Sequence, residues 1–279
     1  MPELPEVETI KNAVADALTG AVIEQTLVYQ RKFRIPLDAD FADQIQNCRI
    51  ESFSRFAKYM MMHLSNHKTV IWHFGMSGKI KIESAIPATR DKHDHVIIKT
   101  DKGVLIYNDP RRFGLVTICD TDKLKQHPLF AMLGLDPWDK NLNKAYLLQK
   151  FSHKKTAVKI ALLDQSIING IGNIYASEIL YHAGINPNRS AESVSAAEAE
   201  KIIKYTRQVL EAAIKAGGST IHDYKHPDNS IGYFQESHCV YNKTGLRCPQ
   251  CCCDIKKTGG IQKTVLGGRS TFYCATLQK

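Results

Sequence analysis

Residues 69–108 read TVIWHFGMSGKIKIESAIPATRDKHDHVIIKTDKGVLIYN. Within them the runs TVIWHF, KIKIE, HVIIKT and VLIYN are rich in β-branched and aromatic residues, and Gly, Asp, Asn or Pro separates each from the next. Short runs of this kind with turn chemistry between them predict strands rather than helices. The same texture extends from about residue 21 to about residue 118, which makes the first half of the chain a multistranded sheet or a sandwich. Upstream, Val7, Ile10, Val14 and Leu18 recur at helical spacing from Pro5, with acids in the first turn and Gly20 just past the end. That pattern predicts one helix beside the chain start.

Beyond HPLFAMLGLDP at 127–137 the pattern turns helical. INGIGNIYASEILYHAGI, at 168–185, is a glycine turn followed by a helix with Ala176, Ile179, Leu180 and Ala183 on one face. Ser195 stands three before Glu198 as a capping box; Ile202, Thr206, Val209, Leu210 and Ala213 supply the next apolar stripe, and Gly217 with Gly218 ends it. A chain of 279 residues is long for a single core. The expected division is 1–130, a sheet domain; 131–235, a helical domain; and 236–279, a cysteine-bearing finger.

Lys and Arg exceed Asp and Glu to give a formal net charge of +9 and a pI near 9.1, which suits a polyanionic partner such as nucleic acid or simply a basic soluble enzyme. No apolar run is long enough to span a bilayer, and the acidic start is unlike a secretory signal, so a cytoplasmic protein without membrane contact is expected. Five of the eight cysteines fall after residue 240, whereas Cys48 and Cys119 sit in apolar strand-like runs. This local clustering points to a metal rather than a disulfide framework. Cys248 and Cys251 form a C-x-x-C pair and Cys274 follows β-rich residues, as in a zinc ribbon. The place where a second C-x-x-C would end holds Leu277, so Cys252 or Cys253 is the candidate fourth ligand of one structural zinc ion; the alternative is a metal-free hairpin.

Several short motifs carry chemistry. NDPRRFG at 108–114 sets Arg111, Arg112 and Phe113 in a loop, where a ring can fill a gap in a base stack and guanidiniums can read a base edge or phosphate; equally, Phe113 can fold into the core. GMSG places Met76 between glycines, where a soft apolar side chain can likewise intrude into a base stack or simply pack. KHDH at 92–95 offers phosphate contact or solvation more readily than metal ligation, since alternate strand residues share one face. In GIGN, Gly170 and Gly172 allow close backbone approach to an anion, with Asn173 positioned to cap the following helix, or simply form a turn between two packed helices. Arg269, beside Gly267 and Gly268 at a hairpin tip, either reaches a phosphate or is simply solvated. The chain starts MPELPE, and removal of Met before the small Pro2 is expected to expose a secondary amine. An α-amine has a pKa near ~7.7 to 8.0, so a useful fraction is neutral and nucleophilic at physiological pH. Glu3 and Glu6 stand by to move protons, or serve only as favourable charge at a helix N-terminus.

Taken together, PELPEVET, KY at Lys58, HFGMSG, KHDHV, NDPRRFG, GIGNIYASE, GGST and GRSTFYC resemble, in order and over almost the whole chain, the formamidopyrimidine-DNA glycosylase family. The family comprises bifunctional DNA glycosylases and lyases that excise oxidised purines from duplex DNA. The resemblance implies an α+β chain of two domains: an N-terminal β-sandwich with a flanking helix, then a helix-two-turn-helix domain with a zinc-ribbon finger. It implies Pro2 as the nucleophile at the sugar C1′, Glu3 as proton shuttle, Glu6 as a second acid of the lesion pocket and Lys58 on the adjacent phosphate. Met76, Arg111 and Phe113 would fill the gap left by the flipped nucleotide, with Arg112 near a phosphate. His73, His93, Asn173, Tyr241 and Arg269 would grip the backbone, Arg269 at the catalytic end. The zinc set would be Cys248, Cys251, Cys274 and Cys253, in a monomer bound to damaged double-stranded DNA.

The sequence departs from the family in CATLQ, in a longer span from Cys251 to Arg269, and in Asn242 after Tyr241. Two rivals accompany the resemblance: an endonuclease VIII-type glycosylase for oxidised pyrimidines, and a non-catalytic DNA-damage binder with the same scaffold. A zinc-ribbon transcription factor would have no use for Pro2, Glu3 and Lys58 together.

Overall fold

The computed structural model describes residues 2–219 and 234–279. Met1 and Thr220, the last residue of the GGST motif, lie outside the described residues. The chain forms two compact units, Met1–Ala131 with Ala216–Gln235, and Met132–Lys215 with Glu236–Lys279. The sequence-based division cut at residues 130 and 235, whereas the compact units return the stretch after residue 215 to the first unit and group the finger with the helices.

In the first unit, helix α1 (Leu4–Leu18) buries Val7, Ile10, Val14 and Leu18, the four residues whose spacing predicts it. A short helix α2 (Phe41–Ile45) interrupts eight strands: β1 (Ile23–Val28), β2 (Ile50–Phe56), β3 (Tyr59–Leu64), β4 (Lys68–His73), β5 (Lys79–Glu83), β6 (Asp94–Thr100), β7 (Val104–Asn108) and β8 (Leu115–Asp120). They pair antiparallel into two four-stranded sheets, ordered β1-β6-β7-β5 and β2-β3-β4-β8. Alternate residues of both sheets share one core: Val96, Ile98, Leu105 and Tyr107 from the first, Met60, Met62, Val70, Trp72, Val116 and Ile118 from the second. Helix α1 closes that core with its apolar stripe. Ile97, Val104 and Ile106 point the other way and form a second cluster, so β6 and β7 read as continuous apolar runs rather than alternating ones. Cys119 lies on β8, but Cys48 belongs to the turn after α2 and not to a strand; two residues before it, Gln46 caps the helix.

The second unit holds α3 (Lys144–Phe151), α4 (Val158–Leu163), α5 (Asn173–Ala183), α6 (Ala196–Lys215) and a hairpin of β9 (Gln262–Leu266) and β10 (Arg269–Tyr273), preceded by the one-turn helix α7 (Ile255–Thr258). Helix α7 takes up part of the long span between Cys251 and Arg269. The predicted capping box opens α6: Ser195 N donates to Glu198 Oε2 at 2.8 Å and Glu198 N to Ser195 Oγ at 3.3 Å. Gly184 ends α5 in the left-handed region at φ 72°, where a side chain would be strained. No helix of the described residues is long and apolar enough to cross a membrane.

Trp72 is fully buried against Tyr107, at a ring distance of 5.3 Å, and its Nε1 finds no acceptor among the described residues. Trp72→Ala is expected to cost about 3–5 kcal/mol in urea denaturation. Trp72→Phe should cost under about 1.5 kcal/mol, because it keeps most of the packing and removes a buried donor without a partner.

Candidate functional site

In the first unit three of the predicted catalytic residues, Pro2, Glu3 and Glu6, stand at the start of α1. Pro2 is buried and precedes Glu3, the N-cap residue, which forms a capping box with Glu6. Glu6 is buried; its Oε2 accepts from Glu3 N and its Oε1 from Ser219 N, both at 2.8 Å. The second bond requires Gly218: its φ is +76°, and an added Cβ would sit 3.1 Å from Glu6 Oε1 and 3.2 Å from Glu6 Cγ. The GGST motif thus returns to the helix that carries the chain start.

Lys58 is buried in the tight turn between β2 and β3, where Ala57 takes a φ of 53°. Arg55 ties that hairpin down by donating from Nη1 to Ala57 O at 3.0 Å and from Nε to Glu8 Oε2 at 2.8 Å. Glu8 lies on α1, so one guanidinium holds the lysine hairpin against the helix of Pro2 and Glu3. The neighbouring His73 is pushed down to about 3 by burial and by the charges of Arg34 and Lys58. Its imidazole is therefore neutral at pH 7. Gly75 N donates to His73 Nδ1 at 3.0 Å, which leaves the ring proton on Nε2 by the bonding pattern.

A second group is presented by the turn at 109–114. Asp109 is fully buried and organises it: Oδ1 accepts from Ser77 Oγ at 2.7 Å, Oδ2 from Gly114 N at 2.9 Å and from Tyr107 Oη at 3.3 Å. Arg112 N donates to Asp109 O at 3.2 Å and Arg111 N to Ser77 Oγ at 3.2 Å, with Arg112 held at φ 55°. Gly75 lies so close that an added Cβ would meet the Phe113 carbonyl carbon at 2.4 Å, which sets the Met76 turn beside the Phe113 turn. Met76 and Phe113 are 41% and 50% exposed, and the Arg111 guanidinium lies 4.6 Å over the Phe113 ring. Large apolar side chains held in solvent on a rigid turn are suited to insertion between bases. Phe113 does not fold into the core.

His93 is half-buried at the turn into β6; its N donates to Asp91 Oδ1 at 2.8 Å, and its carbonyl accepts from Asp109 N at 3.1 Å. Within KHDH, Asp94 is buried on Lys81 and Asn108, at 3.0 and 2.7 Å, as a structural ion pair. Beside the 109–114 turn a pocket of about 390 Å³ is lined by Lys32, Phe33, Arg34, Arg111, Arg112 and Phe113. Sequence reasoning missed Lys32 and Arg34, although the basic and aromatic run QRKFR at 30–34 carried a signal.

The second unit brings Asn173 and Arg269 together through a residue that sequence reasoning also missed. Asn173 is the first helical residue of α5 and Gly172 the N-cap, a correction to the expectation that Asn173 caps. Its side chain turns instead to β10: Asn173 Nδ2 donates to Ser270 O at 3.0 Å, next to the exposed Arg269 at the hairpin tip. Lys159 is fully buried, and its ammonium donates to Asn173 Oδ1 at 2.7 Å, Thr271 Oγ1 at 2.9 Å and Ser270 O at 3.0 Å. A lysine in the apolar run AVKIALL was the available signal. Gly267 lies over Ile160 of α4, where an added Cβ would reach Cδ1 at 2.9 Å. Tyr241 is set by its backbone N–H on Glu178 Oε1 at 2.8 Å and by its ring against Phe272 at 5.1 Å.

The sulfurs of Cys248, Cys251 and Cys274 lie within 4.8 Å of one another, a group that could hold a metal ion. Cys253 Sγ is 2.7 Å from Cys251 Sγ, whereas Cys252 is exposed. Leu277 packs against the same apolar cluster as Cys248 and Cys274, so the expected break in the second C-x-x-C is filled by a side chain that cannot ligate.

Burying His73 in its neutral form gives a signed pH dependence. Its folded value lies below the unfolded one, so its contribution is present above about pH 6.5 and is lost as pH falls toward about 3. His73→Gln should flatten the loss of stability between pH 7 and pH 4, read by urea midpoints. Lys159→Met should lower stability by about 1–3 kcal/mol in the same assay, because it strands buried acceptors on β10 and Asn173.

The family description "Formamidopyrimidine-DNA glycosylase N-terminal domain" matches residues 1–116, and "Formamidopyrimidine-DNA glycosylase H2TH domain" matches residues 133–225. A formamidopyrimidine-DNA glycosylase of Rhodospirillum rubrum is 39% identical over 281 residues and one of Novosphingobium aromaticivorans 42% identical over 281, each alignment covering 100% of both chains. Among solved structures, a Lactococcus lactis FPG variant in complex with Fapy-dG-containing DNA superposes with a TM-score of 0.90 at 30% identity, covering 100% of both chains. With both domains matched in order and its whole length shared with these relatives, the chain belongs to the formamidopyrimidine-DNA glycosylase family.

Proposed function

We propose that this protein is a bifunctional DNA glycosylase and AP lyase of base excision repair, which removes oxidised purines such as 8-oxoguanine and formamidopyrimidines from duplex DNA in the cytoplasm. The observation that carries the reading is the start of α1, where Pro2, Glu3 and Glu6 are buried together and the Lys58 hairpin is clamped to the same helix by Arg55 and Glu8. A reactive amine needs such a setting: near the positive end of a helix its neutral form is favoured, and adjacent carboxyls can shuttle protons. In the same unit, exposed Met76, Arg111 and Phe113 supply the wedge that a flipped nucleotide leaves room for.

The Pro2 nitrogen attacks C1′ of the extruded nucleotide, the N-glycosidic bond breaks, and the base leaves with a proton delivered through Glu3. The nitrogen, having lost its proton, then expels the ring oxygen from C1′; that oxygen takes up a proton as a hydroxyl, and an iminium to C1′ remains. Proton removal from C2′ then breaks C3′–O, and proton removal from C4′ breaks C5′–O; water hydrolyses the remaining iminium, which releases the opened sugar as an aldehyde and regenerates the Pro2 amine. Glu6 orients Glu3 and the lesion pocket, while Lys58 and neutral His73 hold the flanking phosphates, joined by His93, Arg112, Asn173, Tyr241 and Arg269. In this reading the sandwich unit carries the chemistry, the helices of residues 132–215 grip the duplex, and 236–279 form the finger. One chain suffices for one duplex.

The thiolate donors of the finger fit zinc. Three sulfurs already converge, Cys253 stands next to Cys251 to serve as fourth ligand, and soft donors favour zinc over hard cations. Bound there, the ion would serve as a structural cross-link that holds the β9–β10 hairpin and Arg269.

Borohydride trapping on a duplex with one 8-oxoguanine opposite cytosine tests the reading. A lesion-dependent covalent complex is expected from the wild type and not from Pro2→Gly. Glu3→Gln should lower base excision by at least about 100-fold while duplex binding is retained. Selective binding to the lesion without any cross-link would favour the non-catalytic damage binder. Trapping only on an oxidised pyrimidine would favour the endonuclease VIII type.

A further inference from the structure

We propose that Glu178, His182 and Cys239 form a second divalent-metal site, independent of the finger thiols and of the catalytic reading above. Glu178 and His182 stand four apart on α5 and so share one face of the helix. Cys239 belongs to the segment that lies across that face. Glu178 holds this segment down: its Oε2 accepts from Cys239 N at 2.8 Å, and its Oε1 from Val240 N at 3.0 Å and Tyr241 N at 2.8 Å. The backbone thereby aims the Cys239 sulfur at the imidazole, with Sγ 3.8 Å from His182 Nε2. The carboxylate, imidazole and thiol donor atoms all fall within 4.8 Å of one another.

Three features make this a site rather than a chance meeting of side chains. The His182 ring is held in place, stacked on Tyr205 at 5.7 Å and 24° and met edge-on by Tyr181 at 5.3 Å, so its nitrogen is presented with little entropy left to lose. Glu178 Oε2 accepts one N–H from this segment, which leaves that oxygen a lone pair for a metal. His182 and Cys239 are half-buried, which gives an ion a way in from solvent. The set shares no residue with Cys248, Cys251 and Cys274.

One sulfur, one imidazole nitrogen and one carboxylate oxygen favour zinc, cobalt or cadmium over magnesium or calcium, and three protein ligands leave a fourth position for water. On binding, the Cys239 thiol gives its proton to solvent as the sulfur–metal bond forms, while His182 binds as the neutral ring. The ion would staple α5 to the segment that carries Tyr241 into the finger.

The test is the metal content of the full-length protein after equilibration against buffered zinc, and separately cobalt, for wild type, Cys239→Ser and His182→Gln. Each variant is expected to hold one equivalent less than wild type, with the thiolate-rich cobalt absorption of the finger retained in both. Wild type, and not the variants, should also gain thermal stability over the range of metal that fills this equivalent. Melting in chelator should coincide for all three, which separates lost binding from lost folding. Equal metal content in wild type and both variants would overturn the proposal. Loss of the finger's cobalt absorption together with the equivalent would also overturn it, by showing that these residues serve the finger.

Discussion

A buried carboxylate must be met by donors or it destabilises the fold, and in this protein Glu6 meets that demand by joining distant parts of the chain. Its two oxygens accept from Glu3 N, at the start of α1, and from Ser219 N, more than two hundred residues later. The bond to Ser219 explains why residues after α6 return to the first unit, and why Gly218 stands where any side chain would press on Glu6. The same bonds hold the chain start in place. The nucleophilic role proposed for Pro2 would need this, because an untied terminus would spend its time in solvent.

The same device recurs wherever a loop has to be rigid. Asp109 fixes the turn that exposes Arg111 and Phe113, Glu178 fixes the segment of Tyr241, and the ammonium of Lys159 fixes β10 beside Asn173. In each case one buried charge is satisfied by loop or strand groups and thereby converts an irregular segment into a defined one. Residues proposed to touch DNA sit on those segments. The charged groups that place them are hidden one layer below, which separates the surface that binds from the interior that orients it.

Much of this was legible in the sequence where physics is local. The helical spacing of Val7, Ile10, Val14 and Leu18 and the β-rich runs from TVIWHF to VLIYN needed only side-chain period and turn chemistry, and each became the expected element. Lys159 and Arg34 were passed over for opposite reasons: a lysine within an apolar helix has no visible partner until β10 arrives from residue 270, and a cation in a basic run looks solvated until the 109–114 turn closes beside it. Cys239 has no spacing partner at all, since its neighbours Glu178 and His182 come from α5.

By itself, then, the sequence determined the main strands and helices, the basic character, the ordered motifs and the missing second C-x-x-C of the finger, because period, charge and spacing are properties of neighbours along the chain. Only the tertiary structure decided that Phe113 stands in solvent, that Asn173 bonds to a strand instead of capping its helix, that Ser219 closes on Glu6, and that a histidine and a cysteine converge beside Glu178. The reason is the same throughout. Those outcomes depend on which buried polar group finds which donor across long loops, and that choice is made when the cores form and water is excluded.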